Sequence, residues 1–401
     1  MWIFNTQIDS IINKSGVVEN YDFPKFHFSD STFIYGNDNA IILNLHPMTI
    51  NYFDEIAIDN LVFNGSLSVK NAFESLTGNM TLNKSTGINF ISNDFILPFF
   101  NNDSIQGDFN FSDSELRFSG KLKNKDFTYF SNNMLINTSK ISSKKGDLIF
   151  NSNSYPKLMA DNISMDYVIF DSIKFNSNNR HLFSLYEDYS FFGEIILGLK
   201  IEDIYLTASG NFISSKDPDF LFDISSDLFL FSKDSFISAN SIINFNSSNN
   251  KNFNLNGISL EFNLKSDSIY FFRENLNFQV SSLNADIDFQ ASLLDLKSRK
   301  LKFFNLDSSQ GICSFNDKIN YNINSMFFDF NTQRVSFFTN NFLDFGSHKL
   351  IPKDGFFEIN NKGVPYDFIA EKIIKKRFGK DKIYLDKKVS FDEKMNCFIQ
   401  D

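Results

Sequence analysis

The sequence predicts an all-β protein, an elongated stack of antiparallel meanders that forms an open curled sheet or an irregular β-solenoid. Three observations carry this expectation. Apolar and polar residues alternate with period two along most of the chain, clusters of Asn, Ser, Asp and Gly separate the alternating runs, and helical periodicity is almost absent. Successive side chains of a strand point to opposite faces, so alternation gives a ribbon with one apolar face. The intervening clusters are turn chemistry.

The clearest element is the run 107–120, GDFNFSDSELRFSG. Phe109 and Phe111 share one face, Leu116 and Phe118 share the same face after a polar turn at 112–114, and the whole reads as a hairpin. The texture recurs at 220–231, 258–264, 276–289 and 326–338. The segment 366–378 fits a helix face through Phe368, Ile369, Ile373 and Ile374. It fits a strand equally, ending at a turn at 378–381 and returning through 382–391, and the hairpin is the expectation here. Gly107 with Gly120, and Gly193 with Gly210, bracket similar hairpins, and Gly65 opens a third. MADNISMD at 159–166 resembles SANSIIN at 238–244 and NADIDF at 284–289. The tripeptide Asp-Ser-Ile starts at 9, 103, 171 and 267. The spacing suggests β-modules of roughly 80 residues. Four blocks follow: 1–105, 106–192, 193–305 and a C-terminal block 306–401 with a basic end.

Composition narrows the function classes. Of 401 residues, 42% are hydrophobic and 16% aromatic, enough for a core, which excludes a disordered acidic tail. Cys313 and Cys397 are the only cysteines, too few for a disulfide scaffold. The formal charge is −10, and no nucleic-acid partner is expected of so acidic a chain. Charge is uneven: residues 370–401 carry nine Lys/Arg and six Asp/Glu. That basic end reads as a solvated face, or as a contact for an anionic surface. No run reaches the 18 or so apolar residues of a membrane helix, so no transmembrane helix is expected. The opening MWIFNTQID lacks a basic leader, which fits either a cytoplasmic protein or an internal piece of a longer exported chain, and because it reads as strand text the second is the expectation.

Chemistry-bearing motifs are sparse. His27, His46, His181 and His348 are scattered, without a metal-binding spacing. Neither cysteine sits in a Cys-x-x-Cys pair, and each neighbours an apolar residue, which points to buried thiols. Asp286 and Asp288 would share a strand face, and Asp217 and Asp219 flank a proline in a turn. Both pairs read first as solvated polar positions. Phosphate-binding glycine loops and nucleophile elbows are missing from the sequence. No catalytic residue, metal or cofactor is expected. A carbohydrate-active enzyme is the minor alternative and would need carboxylates converging in a cleft. The 52 Phe residues admit two readings. They build ordinary sheet cores from residues that an AT-rich genome favours, or they line a groove for acyl chains. In the second reading Phe109, Phe111, Phe118, Phe127, Phe220 and Phe222 are the candidate lining.

The order of several short motifs carries a resemblance. These are IDNLVFNGSL at 58–67, LPFFNNDSIQG at 97–107, ELRFSGKL at 115–122, GVPYDFIA at 363–370 and MNCFI at 395–399. Together they resemble an internal stretch of the very long β-rich proteins found across Bacteroidota. A looser likeness, of texture alone, is to the periplasmic β-repeat proteins of the AsmA/TamB and LptA/OstA types. The first resemblance implies an exported, non-enzymatic segment of the cell envelope, periplasmic or associated with the outer membrane, with other envelope proteins as partners. The second implies a lipid partner. Fold analogy alone assigns no function.

Overall fold

The computed structural model describes residues 2–12, 18–28, 31–35, 41–50, 62–71, 73–83, 87–96, 104–112, 115–169, 171–200, 203–214, 216–247, 253–272, 278–280, 285–307, 309–315, 319–360, 362–376 and 381–400, the earliest strands mainly through their backbone pairing. The protein is all-β, with large antiparallel sheets, one of them curled. Among the described residues the one helical piece is a 3-10 turn at Lys353–Gly355, and no helix is long and apolar enough to cross a membrane.

The chain forms two compact units. The first comprises residues 1–153, 157–180 and 194–205, and the second 154–156, 181–193 and 206–401. In the first unit, Trp2–Ile12, Val18–Phe28 and Met48–Ile50 form a three-stranded sheet. A longer ladder runs Ser31–Tyr35, Ile41–Leu45, Val62–Val69, Phe73–Asn83, Gly87–Ile96, Ser104–Ser112, Glu115–Lys123 and Phe127–Ile136, each strand antiparallel to the next. Strands consecutive in sequence are neighbours in this ladder, except that Met48–Ile50 joins the three-stranded sheet. The next rank is broken in two, with Lys140–Ser143 and Asp147–Phe150 lying along the same edge of Phe127–Ile136.

In the second unit the ladder Phe220–Phe231, Ser235–Ser247, Phe253–Asn263, Ser268–Phe272, Ala291–Asp295, Lys300–Phe304, Ser325–Asp329, Arg334–Phe338, Phe356–Ile359 is likewise antiparallel throughout. Beside it stand a four-stranded sheet from Phe278–Val280 to Ile319–Ile323 and a five-stranded sheet from Leu343–Phe345 to Cys397–Ile399. The expected C-terminal hairpin is present as Phe368–Lys375 paired with Lys382–Phe391.

The glycine repeats read in the sequence are a repeated crease. Gly65 pairs with Gly78, and Gly107 with Gly120. Gly193 and Gly210 face each other in the same way, where a Cβ on Gly193 would lie 2.9 Å from the Gly210 Cα. On the next strand over, Gly120 pairs with Ser131 and Gly210 with Ser226, each time at a register shift. Without side chains the strands approach closely and bend. The buried serines opposite these glycines bond to backbone further across the sheet. Ser131 donates to the Lys145 carbonyl at 2.7 Å and shares a 2.9 Å hydrogen bond with Ser143. Ser226 donates to the Ala239 carbonyl at 2.8 Å.

Each unit has its own aromatic core. In the first, Phe118 stacks 4.9 Å from Phe109, which meets Phe90 at 6.0 Å. Phe127 and Tyr129 both pack on Phe175, and the Tyr129 hydroxyl donates to the Ile163 carbonyl at 2.8 Å. In the second, Phe212, Phe236 and Phe262 form a mutual cluster with centroids 4.5 to 5.6 Å apart. These separations are those of favourable edge and tilted aromatic contacts.

His348 lies in the five-stranded sheet, opposite Lys375, with its Nδ1 bonded to Ser347 Oγ at 2.9 Å and its Nε2 buried without a partner. Burial, and secondarily the Lys375 charge, lowers its pKa. The unfolded chain then binds the extra proton first, so stability rises with pH and is lost as pH falls through and below about 6.5. The urea midpoint of the second unit is expected to drop between about pH 7.5 and about pH 5.5, and His348→Leu to flatten that drop. An unchanged slope in the variant would remove His348 as the cause.

Candidate functional site

The six phenylalanines singled out as groove lining divide between the units. Phe109, Phe118 and Phe127 belong to the first and Phe220 and Phe222 to the second. All five are 1–3% exposed. Phe111 pairs through its backbone with Leu116, and its side chain lies outside the described residues. Phe109 and Phe118 are cross-strand partners, as the hairpin reading requires. Phe127 is the first residue of the next strand and contacts Phe175.

Phe220 and Phe222 sit at the start of the strand Phe220–Phe231, where the second unit has a cavity of about 310 Å³. Its apolar wall is Tyr189, Phe220, Phe222 and Leu296. Tyr189 stacks on Phe212 at 5.2 Å and Phe220 packs on Phe330 at 5.0 Å, which fixes both rings. The polar side comes from hairpin turns. Arg299 pairs with Asp217 and stands 5.9 Å over the Phe220 ring. Lys216 pairs with Asp267 at 2.8 Å, and Lys297 approaches the same carboxylate at 3.8 Å. Three cations therefore surround two carboxylates beside an aromatic wall.

Backbone bonds between turns hold these groups in place. The Leu264 N–H donates to the Asp234 carbonyl, the Leu296 N–H to Asp267 and the Phe330 N–H to Arg299, each at 2.9–3.0 Å. Asp267 and Arg299 both take the left-handed conformation, at φ 48 and φ 53, as tight turns demand. The Tyr189 hydroxyl is buried without a hydrogen-bond partner, and its pKa is raised by burial first, then by Asp267 and Asp188. It remains a neutral donor at any ordinary pH. An aromatic wall, a neutral donor and a cationic margin are chemically suited to an amphiphile with an anionic end.

Asp217 and Asp219 form the turn expected of them, the Asp219 N–H donating to Asp217 Oδ1 at 3.0 Å. Asp286 and Asp288 lie on the less buried face of Ala285–Asp288. Among the described residues no group of three or more His, Cys, Asp or Glu is placed to hold a metal ion. His46 is exposed, His181 packs edge-on to Phe183, and the His27 side chain lies outside the described residues. Glu115 and Asp166 line an open cleft of about 830 Å³ in the first unit. Each is about half exposed and paired, with Arg117 at 2.8 Å and Lys140 at 2.6 Å. A general-acid carboxyl is raised by burial, and neither of these is buried.

Both cysteines are free and buried. Burial pushes the Cys313 thiol far up, with a smaller push from Asp286. It pushes Cys397 up to about 11 against a weaker opposing effect of Lys375. The thiolate is the reactive form, so at about pH 8 alkylation of Cys397 in the folded protein should run on the order of 100-fold slower than of an ordinary thiol, and Cys313 slower still. Mass-spectrometric labelling before and after urea checks this, and rapid native labelling of Cys313 would contradict its placement.

The three cations of the second-unit cavity come from two turns far apart in the chain, Lys216 from one and Lys297 with Arg299 from the other, and no local motif joins them. No family model, curated protein or solved structure matches the chain, so what its sites do rests on their geometry alone.

Proposed function

We propose that the chain is a non-catalytic structural or interaction segment of a large cell-envelope protein. The observation that supports the structural part is the fate of the phenylalanines. The five whose side chains are described are 1–3% exposed and packed against other core side chains, so their apolar surface serves the sheets themselves. The placement in the envelope rests on the motif order given above. Native mass spectrometry after gentle purification from an envelope-containing host, with lipid extraction of the same sample, tests the reading. The expected result is the mass of the bare chain. Stoichiometric phospholipid or lipopolysaccharide would overturn it.

The cavity beside Tyr189, Phe220 and Phe222 favours a second reading, a lipid-binding protein. Its volume of about 310 Å³ admits one acyl chain or part of one, with Lys216, Lys297 and Arg299 at the anionic end. Under this reading co-purified lipid is lost from Lys216→Glu combined with Lys297→Glu while the circular dichroism spectrum is kept. Lipid retained by that variant would count against the cavity.

A further inference from the structure

We infer that the C-terminal hairpin, Phe368–Lys375 with Lys382–Phe391, is a docking element that seats on an anionic lipid surface. The proposal is independent of the cavity in the same unit. It begins with the separation of charge. Residues 368–391 hold eight Lys/Arg against three Asp/Glu in a chain of net charge −10. Part of that charge is internally matched. Lys376 pairs with Asp344 at 3.3 Å and Lys388 with Asp367 at 3.1 Å. Lys372, Lys375, Lys382 and Lys387 have no ion pair among the described residues, and the Asp386 carboxylate on the same strand is engaged by Lys353 at 3.3 Å.

The apolar side chains of the hairpin range from buried through half-buried, as at Phe368 and Ile374, to largely exposed. Ala370, Ile373 and Val389 are completely buried and hold the hairpin to its sheet. Ile383 and Leu385 are 60% and 64% exposed. They stand two residues apart on one strand face, directly opposite Ile374 and Lys372 of the partner strand. These large aliphatic side chains are left mostly in water, with Lys372 opposite Leu385 and 5.7 Å over the Phe342 ring, and Lys382 beside Ile383 along the strand. Together they make the composition of a surface that lies at the headgroup level of a bilayer, with apolar groups entering the acyl boundary and lysines meeting the lipid phosphates. A fluid bilayer also accepts protruding side chains without a complementary shape. The charge complement selects anionic over neutral lipid.

The test is co-sedimentation of the purified full chain with vesicles of phosphatidylcholine alone and of phosphatidylcholine carrying about a third phosphatidylglycerol. Binding is expected to the anionic vesicles only, and to weaken with added salt. Ile383→Asp with Leu385→Asp, and separately Lys382→Glu with Lys387→Glu, should each lower it at least about tenfold, with the far-ultraviolet spectrum unchanged. The lysine pair keeps the test valid if the aspartate pair unfolds. Three results would overturn the proposal: no uptake by anionic vesicles, equal uptake by neutral ones, or full uptake by both variants. A chain that ignores vesicles but self-associates through this face, and is dispersed by Leu385→Asp, would assign the face to a second copy instead.

Discussion

Gly120→Val abolishes the cooperative unfolding transition of the first unit, at a cost of at least about 3 kcal/mol. Gly120 sits at φ +158, and a Cβ there would lie 2.3 Å from the Gln106 carbonyl oxygen and 2.8 Å from the Gly107 Cα. Both are backbone atoms of the neighbouring strand, so no rotamer change relieves the clash. The strand must leave the ladder, and Phe118, whose ring edge lies 2.6 Å from the same point, moves with it. Domains of this kind have only about 5–15 kcal/mol of stability to lose. Gly210→Val tests the same crease in the second unit, where the Phe192 carbonyl oxygen would be 2.3 Å from the new Cβ. Gly346→Ala is the comparison. That glycine is at φ +67 with nothing within 4 Å, so its cost is conformational and about 1 kcal/mol. Urea denaturation followed by circular dichroism separates the cases. A wild-type midpoint for Gly120→Val would show that the glycine pair does not shape the sheet.

The crease also marks where sequence reading stops. Alternation located the strands well. The run expected at 220–231 is the strand Phe220–Phe231, and the hairpin expected over 107–120 is present, with Phe109 opposite Phe118. Alternation is local, and a strand needs only its own residues to show it. The recurring Gly107, Gly120, Gly193 and Gly210 were visible as repeats, yet their role depends on which glycine faces which across two strands. The serines that complete the crease, Ser131 and Ser226, are ordinary polar letters in a Ser-rich chain until their burial is known.

The same limit applies to the candidate sites. Phe118 and Phe130 are each followed by a serine in sequence, but Phe118 is 1% exposed and Phe130 is 44% exposed. With 52 Phe in the chain, residue type alone cannot sort core from surface. The cavity of the second unit draws Lys216, Asp267 and Arg299 from three separate turns, and only the stacking of hairpins brings them together. The C-terminal hairpin is the opposite case. Its basic excess and its strand–turn–strand pattern are both local, so the hairpin is legible in the sequence. The exposure of Ile383 and Leu385 is not, because alternation alone does not say which face the sheet covers.

That ambiguity of faces makes Phe118→Asp the sharpest test between a filled core and a lipid-lined groove. In a filled core the substitution removes a buried ring in contact with Phe109, a loss of about 3–5 kcal/mol for truncation alone. It also leaves a carboxyl group among apolar side chains, adding about 1–3 kcal/mol or more even when that group is neutral. The sum rivals the whole stability of a domain, so the expected product is unfolded or insoluble. Phe118→Leu keeps the apolar character with a smaller side chain, and is expected to fold with a loss of about 1–2 kcal/mol. Phe130→Asp lies on the adjacent strand but on an exposed position, and should change the urea midpoint by less than about 1 kcal/mol in equivalent stability. A groove predicts another order. Its lining faces lipid or water and tolerates Asp, so a soluble, folded Phe118→Asp protein that has lost co-purified lipid would establish the groove. The rank of the three variants separates the two readings, because a core penalises Phe118 far more than Phe130, whereas a groove treats both as surface.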